Sequence, residues 1–176
     1  MHELIESDPH VEVIWRAFEL RPEPVPMIDP NSEYLQRAWS DSVSPLAERL
    51  GVTMRFPPVK PRTRLAHEAV HWARAQSRFE DYHDEIFRAF FERGEDIGDL
   101  DVLIALALRL GLDSNSLRQA LASHEFAASV LADEREAARL GVSGVPAFIA
   151  NRKAALSGVQ PVENLKRLIE SVRGAG

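Results

Sequence analysis

Apolar positions recur at three- and four-residue spacing through the middle of the chain. Leu65, Ala66, Ala69, Val70 and Ala73 form one stripe, and Ile86, Phe87, Phe90 and Phe91 form a second. Leu100, Leu103, Ile104, Leu106, Ala107 and Leu110 form a third. This period lays each set on one face of an α-helix, so residues 63–140 are predicted helical almost throughout. Gly94, Gly98 and Gly111 mark the breaks, and Asp113-Ser114-Asn115 offers a cap for a helix starting near Ser116.

The flanks carry a different pattern. A short helical HELIE is followed by residues 11–18, VEVIWRAF, which alternate partly and are β-branched and aromatic; they read as a strand. Residues 21–31 hold four prolines in eleven positions, which forbids helix and favours an extended loop. A helix is expected at 42–50, stopped by Gly51, then a short β-like stretch at 52–56 and a second proline knot at 57–61. Beyond residue 140 a strand at 147–150, a turn at 151–153, a strand at 154–157 and a helix from Pro161-Val162 to Arg173 are predicted. The order is an α/β domain interrupted by helices, divided at 1–61, 62–139 and 140–176.

Charge and composition narrow the function classes. The net charge of −6 argues against nucleic acid or an anionic membrane as partner. No apolar run approaches the roughly 18 residues of a membrane span, and MHELIESD lacks the basic and long apolar regions of a secretion signal. A cytoplasmic setting is the expectation. The chain has no cysteine, which excludes disulfides, thiolate–zinc sites and a cysteine nucleophile within it. No catalytic residue is named, and no cofactor or metal is expected.

Three local patterns bear on chemistry. Pro146 stands at the mouth of the 147–150 strand, where a residue without an N–H is tolerated at a strand start. His67-Glu68-Ala69-Val70-His71 matches H-E-x-x-H, which on a helix sets two imidazoles one turn apart for zinc with Glu68 as base. A zinc hydrolase is therefore a rival reading, but no recognisable third ligand follows, and two histidines flanking an amphipathic helix are preferred. Asp81, His83, Asp84 and Glu85 read as a solvated helix face, Asp133–Arg139 as a charged helix surface, and Phe87, Phe90 and Phe91 as core.

The stretch GVSGVPAFIANRKAALSGVQPVENLKRLIE resembles the C-terminal half of a DsbA-like thioredoxin domain of the FrnE-type branch. The likeness continues through RTRLAHEAVHWARAQ, DEIFRAFFERGEDIGDLDVLIALALRLGLD, ADEREAARLGVSGVP and WRAFELRPE. It implies a thioredoxin core with a helical insertion and, for the family, thiol–disulfide exchange through a C-x-x-C pair on polypeptide or small-thiol substrates. It also implies a cis bond before Pro146, with Val145 and Pro146 meeting substrate main chain and Gly144 permitting close approach. In the family a central strand and the cysteine pair precede the helix that HELIE resembles, so by this likeness the core is N-terminally incomplete, with Met1 an internal methionine. Closure of the remaining strands, or a homodimer whose partner covers the open sheet, are the other arrangements. The function expected is that of a DsbA-like oxidoreductase whose chain here is a fragment or a redox-inactive peptide-binding relative. A kappa-type glutathione transferase or 2-hydroxychromene-2-carboxylate isomerase is the rival within the fold.

Overall fold

The computed structural model describes residues 1–174. The chain forms two compact units: Met1–Leu20 together with the chain from Ala132 onward, and Arg21–Leu131.

In the first unit, α1 (His2–Ser7) packs against the C-terminal α9 (Val162–Arg173), and α9 also lies against a hairpin of β1 (Ala147–Ala150) and β2 (Ala154–Ser157). Leu4, Leu165 and Val172 are buried between these elements. Asp8, closing α1, pairs with Arg173 at the end of α9 at 2.6 Å. The hairpin is antiparallel, with Phe148 opposite Leu156 and Ala150 opposite Ala154. Both strands and the last helix lie where their sequence patterns predict.

The expected strand at 11–18 does not form: no strand is assigned there among the described residues. Its β-branched and aromatic composition favours a strand, but a strand also needs a ladder. Instead the Ala17 amide donates to the Asp133 carboxylate at 2.9 Å, and Asp133 also takes the Arg16 guanidinium at 2.9 Å.

The second unit is helical. A stretch missed by the sequence reading, α2 (Glu33–Ala38), continues through a π-helical turn (Trp39–Val43) into α3 (Ser44–Leu50). None of the residues of α2 or the π turn is buried, although Leu35, Ala38, Trp39 and Val43 recur at helix spacing and are half-buried. The β-like stretch at 52–56 is coil, because the Arg55 amide donates to the Phe91 carbonyl at 2.7 Å and prolines follow.

The core lies among α4 (Arg64–Ala75), α5 (Phe79–Phe87), α6 (Leu100–Arg109) and α7 (Ser114–Ala122). Trp72, Tyr82, Leu103, Leu106 and Leu117 fill it. Buried Tyr82 donates its hydroxyl to the Leu103 carbonyl at 2.8 Å, and burial pushes its ionisation above the ordinary tyrosine range. Asp99 caps α6 and Asp113 caps α7 through amides of the first turn. Gly98 permits a close approach: a Cβ there would stand 2.9 Å from the Arg62 carbonyl. The helix α8 (Ala127–Arg139) leads to the loop before β1.

Candidate functional site

Gly144, Val145 and Pro146, singled out from the sequence, lie together in the loop entering β1. The Val145–Pro146 peptide bond is cis. Val145 and Pro146 are exposed, and Gly144 is half-buried. The Pro146 carbonyl accepts the Gly158 amide at 2.8 Å. With Ala147 opposite Ser157 in the register, that bond identifies 146–158 as a hydrogen-bonded pair. Hydrogen-bonded pairs alternate along an antiparallel ladder. The main-chain groups of Ala147 and Ile149 therefore point away from β2. Among the described residues the sheet has two strands, so this outer edge of β1 has no ladder partner.

At the Pro146 end of the hairpin lies a cleft of about 420 Å³, walled by residues 140–147 and 155–158. No ionisable side chain lines it. The wall formed by the β2–α9 turn is held by a chain of amides. Gln160 donates from Nε2 to the Ser157 carbonyl at 2.7 Å, and its Oε1 accepts from Asn164 at 2.8 Å. Arg167 in turn donates to Asn164 Oδ1. Gln160 belongs to the SGVQP run that carries the sequence likeness, but its bonding to the cleft wall emerges only from the structure.

A hollow of about 460 Å³ lies elsewhere, over Glu33, Tyr34, Arg37, Ala38, Asp41 and Ser42. Its walls come from one helical surface, α2 and the π turn, none of whose residues is buried.

The H-E-x-x-H residues do not build a zinc centre. His67, Glu68 and His71 are all on α4, but Glu68 is buried, with 1% of its side chain exposed. A base for metal-bound water must reach that water. Glu68 Oε1 instead lies 3.3 Å from Nδ1 of His124, and Oε2 has no hydrogen-bond partner. Among the described residues no group of three or more metal-binding side chains is poised around an ion. Nothing local in the sequence linked Glu68 to His124, which follows α7 with a left-handed φ of 52°.

His83 also departs from its reading as part of a solvated face. Its ring stacks on Phe79 at 4.9 Å and meets Phe87 edge-on at 4.9 Å, while Phe87 lies 6.1 Å from Phe91. Phe87, expected in the core, is 50% exposed. The i+4 spacing of 79, 83, 87 and 91 makes a ring stripe offset from the buried face of Tyr82, Ile86 and Ala89. Burial holds the His83 imidazole below its ordinary range; Asp84 opposes the shift and Arg74 adds to it.

Comparison with known proteins agrees with the architecture. A solved structure of the probable DsbA oxidoreductase SCO1869 from Streptomyces coelicolor superposes with a TM-score of 0.81 at 29% identity, over 98% of this chain and 81% of that one. The uncharacterised protein YwbO of Bacillus subtilis is 43% identical over 119 residues, which make up 66% of this chain. The match spans 60% of the length of that relative. The model of the DSBA-like thioredoxin domain matches residues 1–170. The fold is thus thioredoxin-like of the DsbA type, and the chain belongs to the DSBA-like thioredoxin domain family.

Proposed function

We propose that this chain is the polypeptide-binding part of a DsbA-like protein, of the FrnE-type branch, and performs no thiol–disulfide exchange by itself. The observation that carries the reading is the outer edge of β1, where Ala147 and Ile149 direct backbone donors and acceptors away from β2, next in the chain to the cis Val145–Pro146 loop. An extended peptide satisfies such an edge as an added strand. Gly144, Val145 and Pro146 are the substrate-binding residues. The chain has no cysteine, so the electron transfer of thiol exchange has no group here to carry it.

Calorimetric titration of an unstructured peptide tests the reading. Saturable binding is expected with the parent peptide, and N-methylation of alternate peptide amides is expected to abolish it by removing the donors. Equal binding of both peptides excludes strand addition. Insulin reduction is expected at background, and turnover above it overturns the redox-inactive half of the proposal. Intact mass and thiol titration of the protein from its source distinguish a redox-inactive relative from part of a larger oxidoreductase.

A homodimer that shares the outer edge of β1 is the alternative occupant. Sedimentation equilibrium distinguishes it: a dimer dissociated by the peptide supports that arrangement, and a monomer removes it.

A further inference from the structure

A strongly basic stretch lies in the second unit. Between Glu48 and Glu68 the chain carries Arg49, Arg55, Lys60, Arg62 and Arg64 and no carboxylate, in a protein whose net charge is −6. We infer that this stretch, together with Arg88, is a docking surface for an acidic segment of another polypeptide, one whose carboxylates are interspersed with apolar side chains. The surface does not involve the β1 edge, so it stands whether or not that edge binds peptide.

The cations here lack internal partners. Elsewhere in this unit Arg93 and Arg109 meet Glu95 at 2.9 and 3.1 Å, and Arg118 meets Asp101 at 2.9 Å. Among the described residues Arg49, Arg55, Lys60 and Arg88 make no ion pair, and the bordering acids Glu48 and Glu92 reach none of them. Arg62 donates to a carbonyl, that of Arg21, at 2.7 Å. Lys60 is half-buried, and burial holds its amine below the ordinary lysine range with no carboxylate opposing the shift. A carboxylate arriving from outside favours the charged form and relieves that cost.

The fold brings Arg88 to the stretch and fixes the backbone that carries it. The Arg55 amide donates to the carbonyl of Phe91, three residues after Arg88 in the π-helical turn Arg88–Glu92. Phe56 meets Trp39 edge-on at 5.5 Å. Pro58 and Pro61 pack so closely on the 94–98 loop that a Cβ on Gly94 or Gly98 would stand 3.0 Å from them. A backbone already ordered lowers the cost of binding.

Exposed apolar side chains select a polypeptide over a phosphate polymer. Leu50 and Val52 are 61% and 51% exposed between Arg49 and Arg55, and Phe87 is exposed beside Arg88. A partner bearing both carboxylates and apolar groups covers both kinds of surface.

Anisotropy titration of the full chain tests this with four labelled probes: Glu-Leu-Glu-Glu-Leu-Glu, Gln-Leu-Gln-Gln-Leu-Gln, Glu-Ser-Glu-Glu-Ser-Glu and a short oligothymidylate. The Glu–Leu peptide is expected to bind at least about tenfold more tightly than each of the others, and to weaken as salt rises. Combining Arg55→Gln with Arg88→Gln is expected to lower its affinity about tenfold, and Arg135→Gln, at an exposed arginine of the first unit, to change it less than about twofold. Circular dichroism confirms that the double variant is folded; if it is not, Arg49→Gln with Lys60→Gln carries the same comparison. Equal binding of the Gln or Ser peptide overturns the proposal, as does oligothymidylate binding as tight as that of the Glu–Leu peptide. Unchanged affinity in a folded double variant, an equal loss in Arg135→Gln, or no binding of any probe overturns it too.

Discussion

Asp133 and Arg16, 117 residues apart in the chain, meet at 2.9 Å, with the carboxylate buried and the guanidinium side chain largely exposed. The other carboxylate oxygen accepts the Ala17 amide, so one acid fastens the segment around Arg16 and Ala17 by a charge pair and by a backbone bond.

The two bonds have unequal weight. Asp133→Ala leaves the buried Ala17 amide without its acceptor, a loss expected to cost about 2–3 kcal/mol. Arg16→Ala removes only a partner with an exposed side chain and is expected to cost about 1 kcal/mol or less. Urea denaturation of both variants checks the order. Equal losses would mean that the ion pair, not the amide bond, holds the segment.

Glu68 and His124 form a second long-range pair. His124→Ala strands a buried carboxylate and is expected to destabilise the protein by about 1–3 kcal/mol. Glu68→Gln in that background removes the buried charge, so the double variant is expected to recover much of the loss. Additive losses in the double-mutant cycle would show that the two side chains do not interact in solution.

His83 sets a pH dependence. Burial keeps its imidazole below the ordinary value of about 6.5. The unfolded chain therefore binds a proton below about pH 6.5 that the folded chain still refuses. The stability is full above that pH and falls as pH drops through it, levelling once the folded imidazole protonates too. Thermal midpoints between pH 5 and 8 are expected to show this slope, and His83→Gln to flatten it. An unchanged slope in the variant assigns it to another group.

Gln160 is a positioning residue for the cleft wall. Gln160→Ala frees the Ser157 carbonyl and is expected to weaken peptide binding about fivefold, the worth of one hydrogen bond near 1 kcal/mol. Gln160→Glu still accepts from Asn164 but cannot donate to Ser157, so it is expected to behave like the alanine variant. A drop in thermal stability with unchanged peptide affinity would reduce Gln160 to a purely structural role.

Much of the secondary structure was legible because its causes are local. The helix stripes, the Asp113 cap, the strands at 147–150 and 154–157 and the final helix depend on side-chain period, capping chemistry and turns within a few residues. Likewise the Gly144-Val145-Pro146 loop entering β1 was readable because its members are adjacent in the chain. The helix at Glu33–Ala38 was missed although Leu35, Ala38, Trp39 and Val43 recur at helix spacing; the stretch follows a run of four prolines and none of its residues is buried.

By itself, the sequence determined the DsbA-like helix and hairpin order, the place of the Pro146 loop and the absence of thiol chemistry from this chain. Only the tertiary structure decided that residues 11–18 remain outside a ladder and that Glu68 faces His124 in place of a metal, whereas the His83 ring stripe and the Gln160 bonds join residues three or four apart. Period and capping are encoded within a turn or two of chain. Ladder partners, buried countercharges and cleft walls are met only when distant segments pack, so each residue's role there depends on what it finds across the fold.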